Sequence, residues 1–149
     1  MLQFPYQDEP LTGPPPPSLL LGSTVRRRPL IPVTIIGPTG LKRHFGRALL
    51  DTGADDTVFP LDTVAWIAAT LRPDTGHRVR WRGQAHPLRF GDVQLELAAG
   101  GSVWRWPAVV AFSPAPLAYP LLGNCGCLQF FDARFRGADL MVDLETNSA

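Results

Sequence analysis

The sequence predicts a mostly β domain, and three observations indicate this fold class. Short apolar stretches are separated by glycine- and proline-rich turns along most of the chain. Val93, Leu95 and Leu97 alternate with polar residues, as in a strand with one buried face. Helical spacing of apolar residues is convincing in one segment only, at about residues 60–71. We therefore expect a single β domain with one helix.

The predicted strands follow one another closely after Pro29. Leu30–Ile36 is apolar and β-branched, and the turn sequence Gly37-Pro38-Thr39-Gly40 leads into a second strand at residues 45–50. The other predicted strands are residues 58–59, 79–82, 87–90, 93–97, 103–112, 119–123, 130–135 and 140–144. The last two are expected to form a closing hairpin that turns at Gly137.

One helix is predicted at about residues 60–71. Pro60 suits the first position of a helix, because its fixed φ is helical and its missing N–H is not needed there. The apolar residues that follow at helical spacing are Leu61, Val64, Ala65, Ala68 and Leu71. The segment Pro73-Asp74-Thr75-Gly76 is expected to lie beyond its end.

Residues 1–28 differ in composition from residues 29–149, so we expect an arm followed by one domain. Pro14, Pro15, Pro16 and Pro17 form a polyproline stretch between small and polar residues. Such a stretch predicts a flexible or extended arm. A removable pro-segment and a ligand for a proline-recognising domain are alternatives.

Composition limits the possible partners and cofactors. A chain of 149 residues that is 45% apolar and 18% charged fits one folded domain, and its net charge of +1 gives no argument for nucleic-acid or membrane binding. The N-terminus lacks the order of a signal peptide, and no apolar run approaches transmembrane length. Cys125 and Cys127, with no histidine nearby, do not make a zinc site. We expect a cytoplasmic protein with free thiols and no metal or cofactor.

The triplet Asp51-Thr52-Gly53 is the main candidate for chemistry. An apolar strand leads an aspartate into a tight turn, where Gly53 allows close backbone approach and the Thr52 hydroxyl can brace the loop. The triplet alone is equally compatible with an ordinary Asx turn. A second triplet, Asp74-Thr75-Gly76, follows Pro73 instead of an apolar strand, which predicts a surface turn. The flanking residues therefore decide between these interpretations.

With its flanks, the segment from Ala48 to Val58 resembles the active-site segment of the retroviral aspartic proteases, the retropepsins. Downstream, Leu121-Leu122-Gly123 is similar to the apolar-apolar-Gly element that packs beneath the catalytic loop in that family. Residues 128–131 correspond to the family's short C-terminal helix. The resemblance covers about residues 28–145 and implies a single-domain retropepsin-like acid protease barrel. The helix at 60–71 is an insertion relative to the viral enzymes, and it is similar to cellular and bacterial relatives.

The resemblance implies an aspartic endopeptidase that hydrolyses peptide bonds in extended polypeptides. Such enzymes need two carboxylates that share one proton, one to activate a water and one to polarise the scissile carbonyl. This chain offers one matching aspartate, Asp51, with Thr52 and Gly53 completing the catalytic triplet. A homodimer would supply the second Asp51 across a two-fold axis. Two alternatives are an inactive peptide-binding or scaffold module of the same fold, and an interaction protein that binds through its polyproline arm.

The resemblance also implies contacts to a peptide substrate. Ala54, Asp55 and Asp56 occupy positions that bind an extended peptide backbone, as does Gly53. The segment around Gly83 corresponds to the flap hairpin, with Trp81 as a candidate wall residue.

Several residues need a separate interpretation or depart from the family pattern. Arg78, Arg80 and Arg82 form either a solvated edge of the hairpin or a surface that favours acidic substrate positions. Gly83 stands alone where viral flaps are rich in glycine. Asn124 replaces an arginine that often pairs with an aspartate near the site, so Asp55 is expected to lack that partner and the dimer to be weaker.

Overall fold

The computed structural model describes residues 1–19 and 23–147 of the chain. The described residues form a mostly β structure with one short α-helix and one 3₁₀ turn. The strands are β1 (Leu2–Pro5), β2 (Gln7–Pro10), β3 (Val25–Arg28), β4 (Leu30–Ile36), β5 (Lys42–Leu50), β6 (Val58–Pro60), β7 (Arg78–Trp81), β8 (Gln84–Pro87), β9 (Arg89–Ala99), β10 (Ser102–Ser113), β11 (Leu121–Leu122), β12 (Phe131–Arg136) and β13 (Met141–Thr146). The predicted fold class, a mostly β domain, is confirmed.

Six strands close into a barrel in the order β10-β6-β11-β5-β4-β9, and β9 pairs with β10 to complete it. The hairpin β4–β5 occurs where the sequence predicts it, and the long hairpin β9–β10 contains the strands predicted at 93–97 and 103–112. The separate strand predicted at 87–90 is wrong, because Pro87 ends β8 and residues 89–90 belong to β9, which pairs with β10 along its length. Gly100 and Gly101 both have positive φ in the turn between β9 and β10. The short strand β11 pairs in parallel with β5 and antiparallel with β6. It therefore lies between the two strands that flank the Asp51 loop.

The barrel encloses one hydrophobic core. Val93, Leu95 and Leu97 are buried as their alternation predicts, while Gln94 between them is exposed. Full burial of such a side chain contributes about 1.5–3 kcal/mol to folding. The fully buried side chains include Leu30, Ile31, Ile35, Phe59, Ile67, Val110, Phe112, Leu122 and Val142.

The helix α1 is shorter than predicted and covers Thr63–Ile67. Ala68 adopts a left-handed conformation with φ of 53°, and its N–H points back to carbonyls of the last turn, which ends the helix. Ile67 is fully buried, and its carbonyl lies against Gly37, where a side chain would not fit. The residues predicted as the last turn are not helical: residues 69–70 belong to no regular element, and Leu71 forms an isolated bridge with Gly91.

Part of the segment predicted as an arm is built into the domain. β1 pairs antiparallel with β13, and β13 pairs with β12, in a three-stranded sheet. Leu2 and Phe4 belong to the hydrophobic core, because they alternate along β1 and face inward. β2 and β3 form a separate hairpin, with the polyproline stretch in the connection between them. Residues 20–22 of the predicted arm lie outside the described residues.

A polar cluster joins the β2–β3 hairpin to the barrel. Arg28 Nη1 lies 3.3 Å from Glu9 Oε1 and donates a hydrogen bond of 2.7 Å to the Tyr119 hydroxyl. That hydroxyl in turn donates to Glu9 Oε2 at 2.8 Å. The hydrogen bond from Tyr119, helped by Arg28, holds the pKa of Glu9 below its usual value.

We expect Glu9→Gln to reduce the loss of stability in acid. Because folding lowers the pKa of Glu9, the ionised side chain stabilises the fold above its ordinary value of 4.5, and this contribution is lost as the pH falls through the lowered pKa. Denaturant unfolding between about pH 6 and pH 3 should therefore show a smaller decline for Glu9→Gln than for the wild type. Asp8→Asn, which removes an exposed ion pair with Arg27, should follow the wild type. Equal declines for wild type and Glu9→Gln would contradict the assignment.

The C-terminal part follows the predicted order with one difference. β12 and β13 form the predicted closing hairpin. The short helix predicted at residues 128–131 is a single 3₁₀ turn at Leu128–Phe130, which ends where β12 begins. Within the described residues, no helix has the length and apolar character needed to cross a bilayer.

Candidate active site

Asp51 lies where the barrel strand β5 ends. The last three residues of β5, Ala48, Leu49 and Leu50, are buried, and Asp51 is partly buried. The Asp51 N–H donates to the Leu122 carbonyl at 3.0 Å, and the Leu49 N–H donates to the Pro120 carbonyl at 2.9 Å. The residues that precede the turn are therefore fixed to β11.

The Asp51 carboxylate is held by its own turn. Its Oδ1 accepts a hydrogen bond of 2.9 Å from the Gly53 N–H, and the Asp51 carbonyl accepts one of 3.2 Å from the Ala54 N–H. A Cβ on Gly53 would lie 3.3 Å from Oδ1, which is tighter than usual packing. Within residues 1–19 and 23–147, Oδ2 accepts no hydrogen bond. One carboxylate oxygen is therefore fixed and the other is available.

The second triplet forms the same side-chain hydrogen bond in different surroundings. Asp74 Oδ1 accepts a hydrogen bond of 2.9 Å from the Gly76 N–H. Asp74 is exposed and lies 3.1 Å from Arg78. The Gly76 N–H, and after it Arg78, lowers the pKa of Asp74. The prediction of a surface turn at Asp74 is confirmed, and the Asx turn itself does not distinguish the two triplets.

The predicted support residues lie directly against the Asp51 loop. Gly123 packs so closely that an added Cβ would clash with the carbonyl oxygens of Asp56 and Ala54. The next two residues bind the loop backbone, since the Asn124 N–H donates to the Ala54 carbonyl at 2.9 Å and the Cys125 N–H to the Asp55 carbonyl at 2.8 Å. The loop is thus attached to the chain that leaves β11 as well as to β5.

Thr57, which the sequence interpretation did not single out, provides the brace that was predicted for Thr52. The Thr57 hydroxyl is buried, donates to the Cys125 carbonyl at 2.9 Å and accepts from the Gly123 N–H at 3.2 Å. Thr52 is exposed and contributes its carbonyl oxygen, which accepts a hydrogen bond of 3.2 Å from Asn124 Nδ2. The available signal was a polar side chain immediately before the apolar residues of β6.

We expect Thr57→Val to destabilise the protein by about 1–3 kcal/mol, because it leaves the buried Gly123 N–H without its acceptor. Valine has nearly the same shape, so packing is conserved and the lost hydrogen bonds dominate. Thr52→Val is the matched comparison and should change stability by less than about 0.5 kcal/mol. Urea unfolding of the two variants measures this difference. Equal destabilisation by both would show that the Thr57 hydroxyl is not the brace.

The acidic residues after the triplet occupy different environments. Asp55 is exposed, and within the described chain its carboxylate forms no ion pair, as expected from the asparagine at position 124. Asp56 is half-buried, and its backbone forms an isolated parallel β-bridge with Cys125. It lines a surface pocket of about 400 Å³ together with Val109, Cys125, Gln129 and Phe130. Among the described residues, those that line this pocket do not include Asp51, Trp81 or Gly83.

The predicted flap segment is a two-stranded hairpin. β7 and β8 pair only with each other among the described strands, and Arg82 and Gly83 form the two-residue turn with φ of 51° and 74°. Trp81 is exposed, with its ring centroid 5.9 Å from that of His86.

The arginines of this hairpin differ in their contacts. The Arg82 guanidinium lies 4.8 Å from the centroid of the Trp81 ring, and Arg78 pairs with Asp74. Arg80 is exposed on β7. Arg82 therefore contacts its own hairpin and Arg78 contacts the turn that precedes it, and both contacts favour the solvated-edge interpretation for these two residues.

The cysteines do not extend the site to a metal centre. Cys125 is exposed, and Cys127 is buried, which raises the pKa of its thiol to about 12 and keeps it protonated. In residues 1–19 and 23–147, no group of three or more His, Cys, Asp or Glu side chains is arranged to hold a metal ion.

A scan of the sequence against protein-family models found no matching family. A search of curated proteins likewise found no match. The function is therefore inferred from the arrangement around Asp51 and from the resemblance of the surrounding sequence to the retropepsins.

Proposed function

We propose that this chain is one subunit of a homodimeric aspartic endopeptidase of the retropepsin type, with Asp51 as its catalytic carboxylate. The observation that carries the proposal is the hydrogen bonding of the Asp51 carboxylate, which lies where the barrel strand β5 ends. Oδ1 is fixed by the Gly53 N–H, and Oδ2 accepts no hydrogen bond within the described residues. Asp74 forms the same side-chain hydrogen bond, but its carboxylate pairs with an arginine, so Asp51 is the better candidate.

In the proposed reaction, Asp51 residues from two subunits share one proton and bind a water between them. The ionised carboxylate takes a proton from the water as the water oxygen attacks the scissile carbonyl carbon. The protonated carboxylate donates its proton to the carbonyl oxygen, which gives a gem-diol. The carboxyl that took the water proton passes it to the leaving amine as the C–N bond breaks, and the gem-diol returns a proton to the other carboxylate as the product acid forms. Gly53, Ala54, Asp55 and Asp56 bind the extended substrate backbone, and the β7–β8 hairpin covers it as a flap. We place this activity in the cytoplasm.

A binding module of the same fold that lacks catalysis is the alternative, and Asn124 favours it. Its amide contacts the Thr52 carbonyl, while Asp55 stays without an ion pair in the described chain. Because Asn124 stands where the family often has an arginine that pairs with this aspartate, we expect a weaker dimer.

The test is incubation of the protein with a library of extended peptides at acidic pH, with products read by mass spectrometry. The proposal predicts new peptide termini whose formation stops when a pepstatin-type transition-state analogue is added. Solution mass is measured with and without this analogue. A dimer that binds peptides and leaves them intact would support the binding module and contradict the peptidase.

A further inference from the structure

A pocket of about 730 Å³ lies between the β2–β3 hairpin and the barrel. The hairpin contributes Arg26 and the proline-rich connection that contains Pro14 and Pro16. The barrel contributes Arg47 of β5, and the chain that enters β11 contributes Tyr119. The volume lies within the range of about 300–1,000 Å³ that is typical of small-molecule sites. The size and lining of this pocket therefore suit a small ligand.

The β2–β3 hairpin turns one of its two faces toward the pocket. Glu9 and Arg26 are directly opposite each other in the β2–β3 ladder, so their side chains share a face. Arg28 lies on the same face, because it follows Arg26 by two residues along the strand. Asp8 and Arg27 lie on the other face, where they form an exposed ion pair of 3.2 Å. The face toward the barrel therefore carries two arginines and one glutamate.

The acidic side chain of this pocket is already engaged. Among the described residues that line the pocket, Glu9 is the one that carries a carboxylate. Its Oε1 lies 3.3 Å from Arg28 Nη1, and its Oε2 accepts a hydrogen bond of 2.8 Å from the Tyr119 hydroxyl. Both oxygens have partners, and the pair with Arg28 neutralises the negative charge. Glu9 is therefore not a counter-charge for the other arginines of the pocket.

Arg26 and Arg47 line the pocket without a counter-charge. In the part of the chain that the structure describes, neither forms an ion pair, and Arg26 forms no side-chain hydrogen bond. The Arg47 guanidinium donates one hydrogen bond, from Nη2 to the Asp8 carbonyl at 3.0 Å. Its Nε–H is buried and has no acceptor among the described residues. Because a partly buried cation is costly without an anion, the chemistry of this pocket favours an anionic ligand.

We propose that this pocket binds a small organic oxyanion. Arg26 and Arg47 hold its carboxylate or phosphate group, and the proline-rich connection and the Tyr119 ring contact its apolar body. Guanidinium groups suit this role, because their fixed N–H donors match the oxygens of carboxylates and phosphates. Proline rings restrict the backbone, so the connection loses little conformational freedom when a ligand binds. Asp51 is not among the described residues that line the pocket, so binding there does not depend on the proposed peptidase activity.

Titration of the full-length chain with four small aromatic compounds, followed by two-dimensional NMR of the backbone amides, tests the site. Benzoate and phenyl phosphate carry the two candidate oxyanions, whereas benzyl alcohol is neutral and benzylamine is cationic. We expect benzoate, phenyl phosphate or both to shift the signals of Thr12, Gly13, Arg47 and Ala118, which line the pocket. The alcohol and the amine should bind at least about tenfold more weakly, because neither brings a negative charge to the guanidinium groups. The tighter of the two anions identifies the oxyanion that the site prefers.

Three arginine-to-glutamine variants identify the charges that bind. Arg26→Gln removes no ion pair or side-chain hydrogen bond of the described chain, so it should keep the fold and weaken anion binding about threefold, as for an exposed charge. Arg47→Gln should weaken binding at least about tenfold, because a half-buried guanidinium contributes more. Arg27→Gln is the matched control, since Arg27 lies on the opposite face of the hairpin and should leave the affinity unchanged. The thermal unfolding midpoint shows whether each variant is folded.

Four results would overturn the proposal. Neither anion shifts the signals of the pocket up to about 10 mM, or benzyl alcohol binds as tightly as the anions. Arg27→Gln weakens binding as much as Arg26→Gln, which would indicate general attraction to a positive surface. A peptide of alternating glutamate and leucine binds the pocket where both small anions fail, which would assign it to a protein partner. The comparison of Arg26→Gln with Arg27→Gln decides the matter even where Arg47→Gln does not fold.

Discussion

Asp51→Asn should abolish peptide cleavage, with a fall of at least about 10³-fold in rate, because an amide can neither accept a proton from water nor share one with a second carboxylate. The asparagine side-chain oxygen still accepts the Gly53 N–H, so the turn is preserved. The loss is therefore expected in catalysis and not in folding. Initial cleavage rates of a peptide identified from the library, together with the thermal unfolding midpoint, measure the two effects separately.

Asp74→Asn is the matched control, since it makes the same chemical change in the same type of turn. Its rate should equal that of the wild type, because Asp74 lies on the surface in an ion pair with Arg78. Substantial cleavage by Asp51→Asn would remove Asp51 from the catalytic role. A similar loss in both variants would point to a general effect of asparagine at such turns.

Gly123→Ala should destabilise the protein by about 3 kcal/mol, near the upper range for inserting one carbon into a packed interior. The new Cβ would lie 2.7 Å from the Ala54 carbonyl oxygen and closer still to that of Asp56. Both neighbours are backbone atoms, so no side chain can turn aside to make room. The Asp51 loop must shift or separate from β11, and we expect cleavage to be lost together with stability.

Gly137→Ala provides the comparison, because a Cβ at Gly137 meets nothing within 4 Å. It should change the free energy of unfolding by less than about 0.5 kcal/mol. Urea denaturation with fluorescence detection measures both variants. If Gly123→Ala unfolds at the wild-type urea concentration, the loop is not packed against Gly123 as described.

The strands could be predicted where local pattern and burial agree. Along β9 the inward residues Val93, Leu95 and Leu97 alternate with polar ones, because a strand exposes every second side chain to the core. The turn Gly37-Pro38-Thr39-Gly40 was also predictable, because it is made of turn-forming residues and Gly40 adopts a positive φ. Such features depend on neighbours in the sequence, which is why they can be found without a structure.

The errors occurred where distant residues decide the conformation. Apolar spacing continues past Ile67, but the helix stops because the Ile67 carbonyl packs against Gly37 and Leu71 pairs with Gly91. Leu2 and Phe4 alternate as a strand does, yet their partner β13 lies at the opposite end of the sequence. No local pattern identifies these partners.

In the candidate site, too, the local features could be predicted from the sequence and the contacts between distant residues could not. The side-chain hydrogen bond of the Asp51 turn follows from its triplet, but Asp74 forms the same hydrogen bond. The contacts that single out Asp51 come from Leu122, Gly123 and Asn124. The buried Thr57 hydroxyl could be recognised as the brace only after its partners Gly123 and Cys125 were located.

The pairing of β1 with β13 also has a consequence for biosynthesis. The hydrogen bond from Gln3 to Asp143 cannot form until Asp143 is synthesised, 140 residues later. The hydrogen bond from Asn124 to the Thr52 carbonyl likewise joins residues that are 72 positions apart. Contacts between such distant residues close large loops and make folding slow. While the ribosome is still translating the chain, the Asp51 turn has emerged but the strand that anchors it has not. If the chain is the peptidase proposed above, this order keeps it inert until its translation is nearly complete and so protects the nascent chain from cleavage.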